Sequence, residues 1–353
     1  MKSLTLNETP VRTSCNFNIN NIKLSNIDIP ESLKEFKNLN ISKTDNNIKI
    51  EEENDKPQVT YGLGKIFTDQ VCNNANKKLK INIDGENNNI NFDFKFDKEN
   101  VNLVSNIQII AKENSKATIN IIFESDEDVQ AYNNGIIKLV ARENADIRVI
   151  IANLLNQKSL NFLAIENELS KNSNVEYTVI DIGGKSSVTN YYSNQLGDFS
   201  NNVINSIYLG KDEQIFDLNY IAEQRGEKSN IDIDVQGALS DCAKKHFKGT
   251  IDFKKGCKKA TGNENESCML LSDTAKSLAL PMLLCSEDDV QGNHSSSAGK
   301  IGEKELFYIM SRGFEHKEAL KLMVRAKFNK ILDNIEDKSL KDRIVSEIDR
   351  KLD

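Results

Sequence analysis

Short runs of alternating apolar and polar residues dominate the chain from about residue 76 to residue 300. Clear examples are residues 90–96, 175–179 and 231–235. Alternation with a period of two places one face of a β-strand inward and the other outward. Clusters of Asn, Gly and Asp separate the runs, and no amphipathic helix pattern interrupts them. The pattern predicts an all-β region that is a sandwich, a barrel or a β-solenoid.

The two ends of the chain differ from this middle region in the spacing of their apolar and charged residues. After residue 301, apolar residues recur at spacings of three and four, which predicts an amphipathic helix, and a second helix is expected after Ser339, capped by its hydroxyl. A short helix is predicted to begin at Pro30, because proline suits a first helical turn. The charged residues 43–56 are predicted to form a loop. We therefore expect a mixed N-terminal region (1–75), a β core (76–300) and a C-terminal helical unit (301–353).

Composition and charge narrow the functional classes. The 353 residues carry a formal net charge of -7, so no overall basic field favours nucleic acid or an anionic membrane. No apolar run approaches the roughly 18 residues of a membrane span. Residues 1–6 are not followed by the apolar core of a secretory signal, which predicts a cytoplasmic protein. Asn is abundant, and it tolerates the left-handed backbone of tight turns.

Six cysteines are scattered along the chain, and in a reducing compartment we expect thiols. They are Cys15, Cys72, Cys242, Cys257, Cys268 and Cys285. No Cys-x-x-Cys pair occurs, so no self-contained zinc or ferredoxin-type site is encoded locally. The Gly-x-x-x-x-Gly-Lys phosphate-binding motif is also absent, and the chain is not expected to bind nucleotide itself.

Residues 281–328 contain an ordered set of short motifs: an apolar strand, an acidic pair with Val, a His with small residues, Gly-basic-Ile, Leu-Phe-Tyr, Ser-Arg-Gly and Glu-Ala. In this chain they are Asp288-Asp289-Val290, His294-Ser295-Ser296, Gly299-Lys300-Ile301, Leu306-Phe307-Tyr308, Ser311-Arg312-Gly313 and Glu318-Ala319. Their order and spacing resemble the C-terminal signature of the SufB/SufD family of iron–sulfur cluster assembly scaffolds. Residues 247–251 and 270–275 are also similar to the family, and residues 9–13 resemble its N-terminal entry weakly.

The resemblance implies a right-handed parallel β-helix core with helical ends. It implies a non-catalytic scaffold that builds or holds a transient iron–sulfur cluster. Its partner would be SufC, an ABC-type ATPase that docks on the C-terminal helical unit and supplies the ATPase activity. Family scaffolds pair side by side through the last strands of the β-helix, so a homodimer or a heterodimer with a second scaffold is expected. The nascent cluster would lie near that interface.

Soft thiolates, with imidazole or carboxylate as weaker ligands, suit a cluster that must later be released. The candidate cluster ligands are Glu266, Cys268, Cys285 and His294, of which Cys268 and His294 are the candidate metal ligands. Glu266 and Cys268 lie two positions apart, so a strand directs both to one face. A thiol is often simply a small buried hydrophobe, and the core is the preferred interpretation for Cys268 and Cys285.

The sequence of this chain departs from the family pattern at three positions. Glu266 occupies the position at which SufB-type members place a functional Cys, with Cys268 two residues later. Ser295 replaces the Glu that follows the family His in SufB-type members, and Gly292 replaces a Cys found in SufD-type members. The chain therefore matches neither type fully.

Phe307, Tyr308, Arg312 and Gly313 are the candidate partner-binding residues, because aromatic and Arg side chains often anchor interfaces. Gly313 is expected to end a helix in the left-handed conformation and reverse the chain. The alternative is that Phe307 belongs to the core.

Three other functions compete with a cluster-bearing scaffold. A SufD-like structural partner would bind SufC but carry no cluster alone, and a pure adaptor would only regulate the ATPase. A β-helix carbohydrate-active enzyme would need paired acids such as Asp232 with Asp234, or Asp288 with Asp289. A solvated turn is the preferred interpretation for Asp288 and Asp289.

Overall fold

A computed structural model describes residues 3–13, 18–43, 48–53, 55–86 and 88–353. The N-terminal elements are β1 (Ser3–Leu6), β2 (Ile22–Ser25), β3 (Leu39–Lys43), β4 (Ile48–Glu51) and α1 (Lys65–Asn74). The chain ends in the helices α2 (Glu303–Ser311), α3 (His316–Leu332) and α4 (Lys338–Leu352). Between them lie the strands β5 (Lys77–Ile83), β6 (Asn88–Phe96), β7 (Asn102–Ala111), β8 (Lys116–Ser125), β9 (Tyr132–Ala141), β10 (Asp146–Leu154), β11 (Leu160–Leu169), β12 (Asn174–Asp181), β13 (Ser186–Gln195), β14 (Asn201–Gly210), β15 (Ile215–Gln224), β16 (Asn230–Leu239), β17 (Lys244–Phe253), β18 (Ala260–Leu270), β19 (Lys276–Cys285) and β20 (Val290–Lys300).

The strands from β5 to β20 wind into a β-solenoid. Even-numbered strands pair in parallel with the next even-numbered strand, and odd-numbered strands do the same. They form two sheets, called here the even sheet (β6 to β20) and the odd sheet (β5 to β19). Each consecutive odd and even strand makes one turn, so the backbone of an internal strand finds its hydrogen-bond partners in the turns before and after it. The sequence expectation of a mainly β solenoid with C-terminal helices is confirmed.

Period-two alternation divides each strand between two environments. In β10, Ile147, Val149 and Ile151 belong to the core between the two sheets, whereas Ile150 and Ala152 pack against the C-terminal helices. Strands covered on both faces read as nearly continuous apolar runs, which is typical of buried parallel sheets. This explains the stretch of apolar residues in β10 better than simple alternation does.

Asparagine shapes one corner of the solenoid. A non-glycine residue with positive φ recurs in successive turns between odd and even strands, at Asn114, Asn144, Asn172, Phe199, Lys228 and Lys259. Asn tolerates this left-handed conformation, as expected from the sequence. Nearby side chains also form a ladder across the even sheet, in which Asp146, Asn174, Asn201, Asn230 and Thr261 are joined by bonds of 2.6–2.8 Å. Each ladder member ties its turn to the next.

The first end of the solenoid is capped by the N-terminal region. β3 pairs antiparallel with β6, and β4 pairs antiparallel with β5. The buried side chain of Phe36 closes this end of the solenoid core. Its ring centroid lies 5.1 Å from that of Phe96 and 6.1 Å from that of Phe94. Terminal caps of this kind prevent a repetitive fold from extending by edge pairing.

Three local predictions at the chain ends were wrong. No helix begins at Pro30, because residues 30–36 run as irregular chain that delivers Phe36 to the core. Residues 43–56 are not simply a loop: β3 ends at Lys43 and β4 lies within them, although residues 44–47 and 54 lie outside the described residues. The cap of α4 is Asp337, whose carboxylate accepts from the Leu340 amide at 3.1 Å, and not Ser339.

Both outer faces of the solenoid are covered along part of their length. The N-terminal segment and α1 pack on the odd sheet through an apolar cluster that includes Leu6, Phe67 and Phe162. Helices α3 and α4 pack on the even sheet through residues such as Phe328 and Ile344. Within the described ranges, none of the helices has both the length and the apolar character that crossing a membrane requires. No described strand pairs beyond the last turn, so β19 and β20 are the edge strands of their sheets.

Candidate functional site

The candidate ligands lie in the last turns of the solenoid. Strand β18 directs Glu264, Glu266 and Cys268 to the interior, because alternate residues share a face. In the parallel register, Glu264 pairs with His294 of β20 and Glu266 pairs with Ser296. The predicted common face of Glu266 and Cys268 is therefore confirmed, and it is the inner face.

Glu266 forms a fully buried ion pair. Its Oε1 lies 2.7 Å from Lys245 Nζ, and neither side chain is exposed to solvent. Tyr208 donates its hydroxyl to the same oxygen at 2.8 Å, and Ser296 donates to Oε2 at 2.8 Å. A carboxylate with this many donors is held in place as a structural group. Binding a metal through Glu266 would have to break these contacts first.

Cys268 lies in the same buried cluster and belongs to the core, as preferred from the sequence. It is 3% exposed. Burial raises the pKa of its thiol, although the Tyr208 hydroxyl and the charge of Lys245 oppose the shift. Since the thiolate is the form that binds metal, Cys268 is not prepared to act as a ligand in this conformation.

Cys285 and His294, by contrast, are accessible. Cys285 ends β19 and is exposed, so the preferred core interpretation was wrong; its thiol donates to the Glu287 carbonyl oxygen at 3.0 Å. β19 is the edge strand of the odd sheet, so no described strand lies above Cys285 to bury it. His294 is exposed in the middle of β20, the corresponding edge strand of the even sheet.

The structure does not bring the four predicted ligands to one point. Two lie in the interior, one lies on the edge strand of the even sheet, and one ends the edge strand of the odd sheet. Over the part of the chain that the structure describes, no three His, Cys, Asp or Glu side chains come together in a way that could hold a metal ion. The candidate set is at most part of a site.

Sequence reasoning missed Glu264. It is 2% exposed, and neither of its carboxylate oxygens has a hydrogen-bond partner among the described residues. Burial, with a smaller contribution from the charge of Glu266, raises the pKa of Glu264 to about 8. The available signal was its place two residues before Glu266 on the same strand face, but alternation alone does not tell an inner face from an outer one.

The helical end presents an exposed aromatic surface. Phe307 of α2 is 72% exposed and Tyr308 is 59% exposed, so the core alternative for Phe307 is wrong. Arg312 stacks on Tyr308, with its guanidinium carbon 5.1 Å from the ring centroid, and also donates to the Tyr308 hydroxyl. Gly313 has a φ of 98°, as predicted, and turns the chain into α3.

Of the acids considered for carbohydrate chemistry, Asp232 and Asp234 lie two positions apart on β16. Asp234 lies on the outer face of the even sheet, where Lys330 of α3 binds it at 2.8 Å and Gln236 and Asn265 also donate to it. Asp288 and Asp289 lie exposed in the turn before β20, as preferred from the sequence. Asp234 therefore has a structural role in holding α3.

The sequence matches one known protein family over most of the solenoid. Residues 94–327 match the family described as "SUF system FeS cluster assembly, SufBD core domain". This match covers more than half of the chain, from β6 to most of α3. The chain belongs to the SufBD core domain family. The resemblance read from residues 281–328 is confirmed, and the family is one of non-catalytic scaffold subunits for iron–sulfur cluster assembly.

Curated members of the SufBD family are distant relatives. The iron-sulfur cluster assembly protein SufD of Bacillus subtilis is 26% identical over 182 residues, which is 52% of this chain and 42% of that protein. A SufBD family protein of Pyrococcus horikoshii is 28% identical over 171 residues, 48% of this chain and 37% of its own length. SufD of Escherichia coli is 25% identical over 114 residues, 32% of this chain and 27% of that protein. The matched stretches thus span less than half of these relatives.

Proposed function

We propose that this chain is a scaffold subunit that builds or holds a nascent iron–sulfur cluster together with a SufC-type ABC ATPase. The observation that carries the proposal is the family match over residues 94–327, which includes both the free end of the solenoid and the exposed aromatic helix. The cluster is the cargo of the scaffold, so weak or incomplete ligation by one chain is compatible with its later release.

The docking surface for the ATPase is the exposed face of α2 and the turn after it. Its members are Phe307, Tyr308, Met310, Arg312 and Phe314, all of them exposed. Large apolar side chains that are rimmed by charge mark interaction sites, and stacking on Tyr308 holds Arg312 in a defined orientation. Exposed aromatics of this size favour a protein partner over a solvated helix.

Replacing Phe307 with alanine is expected to weaken SufC binding by at least about 30-fold, the effect of losing a buried aromatic anchor of roughly 2 kcal/mol. Size-exclusion chromatography and calorimetry with the purified ATPase would measure it. Leu196→Ala is the matched control, since Leu196 is also exposed but lies at a corner of the solenoid. Equal affinity of Phe307→Ala and the wild-type chain would refute docking on α2.

The free end of the solenoid supports pairing with a second scaffold chain. The opposite end is capped by β3, β4 and Phe36, whereas β19 and β20 have no strand beyond them among the described residues. A second copy, or a related SufB- or SufD-type chain, would pair these edges and cover the apolar ends of the interior. The same contact would bring further ligands to Cys285 and His294.

Cluster assembly by the paired chain should depend on Cys285 and His294. Under anaerobic reconstitution with iron and sulfide, in the presence of SufC, we expect alanine at either position to lower cluster absorbance at least about tenfold, since each would remove a ligand. Cys242→Ala is the control, because Cys242 is also exposed but lies in a different turn. Undiminished absorbance in both variants would remove these residues from the site.

The SufD-like alternative gives a distinct outcome in the same experiment. A chain that binds SufC but assembles a cluster only when a second, different scaffold is added is a structural partner. The departures from the SufB-type pattern at Glu266 and Ser295, and the names of the relatives from Bacillus subtilis and Escherichia coli, favour testing this alternative directly. Sedimentation of the chain alone would separate a homodimer from a chain that needs a different partner.

A further inference from the structure

We infer that the groove between the N-terminal segment and the odd sheet binds a free anionic amphiphile, a molecule with an unbranched apolar chain and a carboxylate head. The groove has a volume of about 530 Å³, which is within the range of small-molecule sites. It lies on the outer face of the odd sheet, away from the edge strands β19 and β20 and from α2. The inference is therefore independent of the proposed scaffold function.

One wall of the groove is a row of residues that crosses the odd sheet. It consists of the first residues of β7, β9, β11, β13 and β15, each of which is the register partner of the next. They are Asn102, Tyr132, Leu160, Ser186 and Ile215. Neighbouring strands are spaced about 4.8 Å apart, so the row is roughly 19 Å long. A straight groove of this length suits an extended chain better than a compact ring system.

The groove has apolar side chains on both sides. Residues 24–28 and Pro30 of the N-terminal segment form the opposite wall. Ile27 in this wall, and Leu160 and Ile215 in the row, pack against the outer apolar cluster and are only partly buried. An unbranched chain between the walls would cover their remaining surface, and burial of apolar surface drives such binding. A membrane, by contrast, needs a flat apolar face that points outward.

The charged residues that line the groove are mostly positive. Lys23, Lys158 and Lys185 line it, and Asp28 is the one acid among the described residues that do so. Lys23 and Lys185 have no side-chain partner among the described residues, whereas Lys158 donates to the Glu127 carbonyl oxygen. All three lysines are exposed, so their ammonium groups stay hydrated at the rim and attract an anion. Apolar walls with a positive rim favour an amphiphile whose head is anionic over one whose head is neutral or cationic.

Sodium dodecanoate, kept below its micelle concentration and added to the purified full chain, is the probe. We expect one bound molecule per chain by isothermal calorimetry. Decanoate should bind about tenfold more weakly, because two buried methylene groups are lost. Dodecyltrimethylammonium, which has the same chain and a positive head, should bind at least about fivefold more weakly than dodecanoate, because the lysines repel it.

Variants of the rim and of the wall test the two parts of the groove separately. Lys23→Gln/Lys185→Gln should weaken dodecanoate binding about fivefold or more, because it removes the two unpaired charges. Ile27→Asp, which places a like charge beside the apolar chain, should bind no dodecanoate at the same concentration. Lys171→Gln/Lys255→Gln is the matched control, since it removes two exposed lysines that lie outside the groove and should leave the affinity unchanged.

Any one of three results would overturn the inference: wild-type affinity in the folded Lys23→Gln/Lys185→Gln variant, equal affinity for decanoate and dodecanoate, or no binding of dodecanoate by the wild-type chain. Circular dichroism would verify that each variant is folded. Co-sedimentation with phosphatidylglycerol vesicles without binding of free dodecanoate would overturn it too, since the partner would then be a membrane surface. Loss of the SufC complex or of cluster assembly would instead count against the proposed scaffold function, because neither is needed for one chain to bind dodecanoate.

Discussion

Replacing Glu266 with alanine is expected to lower the free energy of unfolding by about 3–5 kcal/mol, because it leaves the buried charge of Lys245 without its carboxylate partner. Glu266 and Lys245 are both inaccessible and 2.7 Å apart. The variant also removes one hydrogen-bond partner of the Tyr208 hydroxyl and adds a cavity at a core position. Urea denaturation at neutral pH, followed by circular dichroism, would measure the loss.

The double variant Lys245→Met/Glu266→Leu distinguishes the destabilising effect of an unpaired buried charge from the effect of the lost side-chain volume. Removing both charges together should recover most of the stability, since apolar side chains of similar size replace a buried pair at little cost. Asp273→Ala is the matched control, because Asp273 pairs with Lys300 at 2.6 Å in full contact with solvent. If Glu266→Ala were no less stable than Asp273→Ala, Lys245 would have to find another partner.

The stability of the chain is expected to rise between pH 7 and pH 9 through Lys351, by about 2 kcal/mol relative to a Lys351→Met variant. Lys351 lies in the last turn of α4 and donates to the carbonyl oxygens of Ile182 and Leu209. Burial lowers its pKa to about 7, against the opposing charges of Asp181, Glu347 and Asp212 and with a small contribution from Arg350.

The direction of this pH dependence follows from whether the folded or the unfolded chain keeps the proton of Lys351. Above pH 7 folded Lys351 has released its proton, whereas the unfolded chain keeps it until about pH 10.4. Unfolding therefore takes up a proton in this window, and raising the pH favours the folded chain. Asp181, whose pKa burial raises to about 6, is ionised in both states over the same window and does not contribute.

Urea unfolding of wild-type and Lys351→Met protein at several pH values would test the Lys351 prediction. The other titrating groups are common to both proteins, so their contributions cancel in the difference. Lys338→Met is the control, since Lys338 begins the same helix and is exposed. A difference between wild type and Lys351→Met that is constant with pH would mean that Lys351 stays protonated in the folded chain.

The strand predictions succeeded where the local pattern alone carries the information. Residues 90–96, 175–179 and 231–235 all lie in strands, since apolar alternation reflects the pleat of the chain itself. The apolar stripe that contains Val324 and Phe328 gave α3 for the same reason. In contrast, α1 was missed, and Pro30 marks no helix, because packing on the odd sheet and insertion of Phe36 decided those segments.

For the candidate site, the sequence correctly placed Glu266 and Cys268 on one face but did not say which face. Their inner position follows from closure of the solenoid, which pairs residues about thirty apart in the chain. The same closure brings Lys245 onto Glu266 and leaves Cys285 uncovered at an edge. Contacts between distant residues depend on this winding, and no local pattern encodes it.

The sequence by itself determined the family, the strand-rich middle, the helical end and the left-handed turn at Gly313. Each rests on residue order or on short-range backbone preference, which act within a few residues. Only the tertiary structure decided which candidate ligands are accessible: winding buried Glu266 in a structural ion pair, and it left Cys285 and His294 on the edge strands. Burial is a property of the whole winding, because it depends on which turns lie above and below each residue.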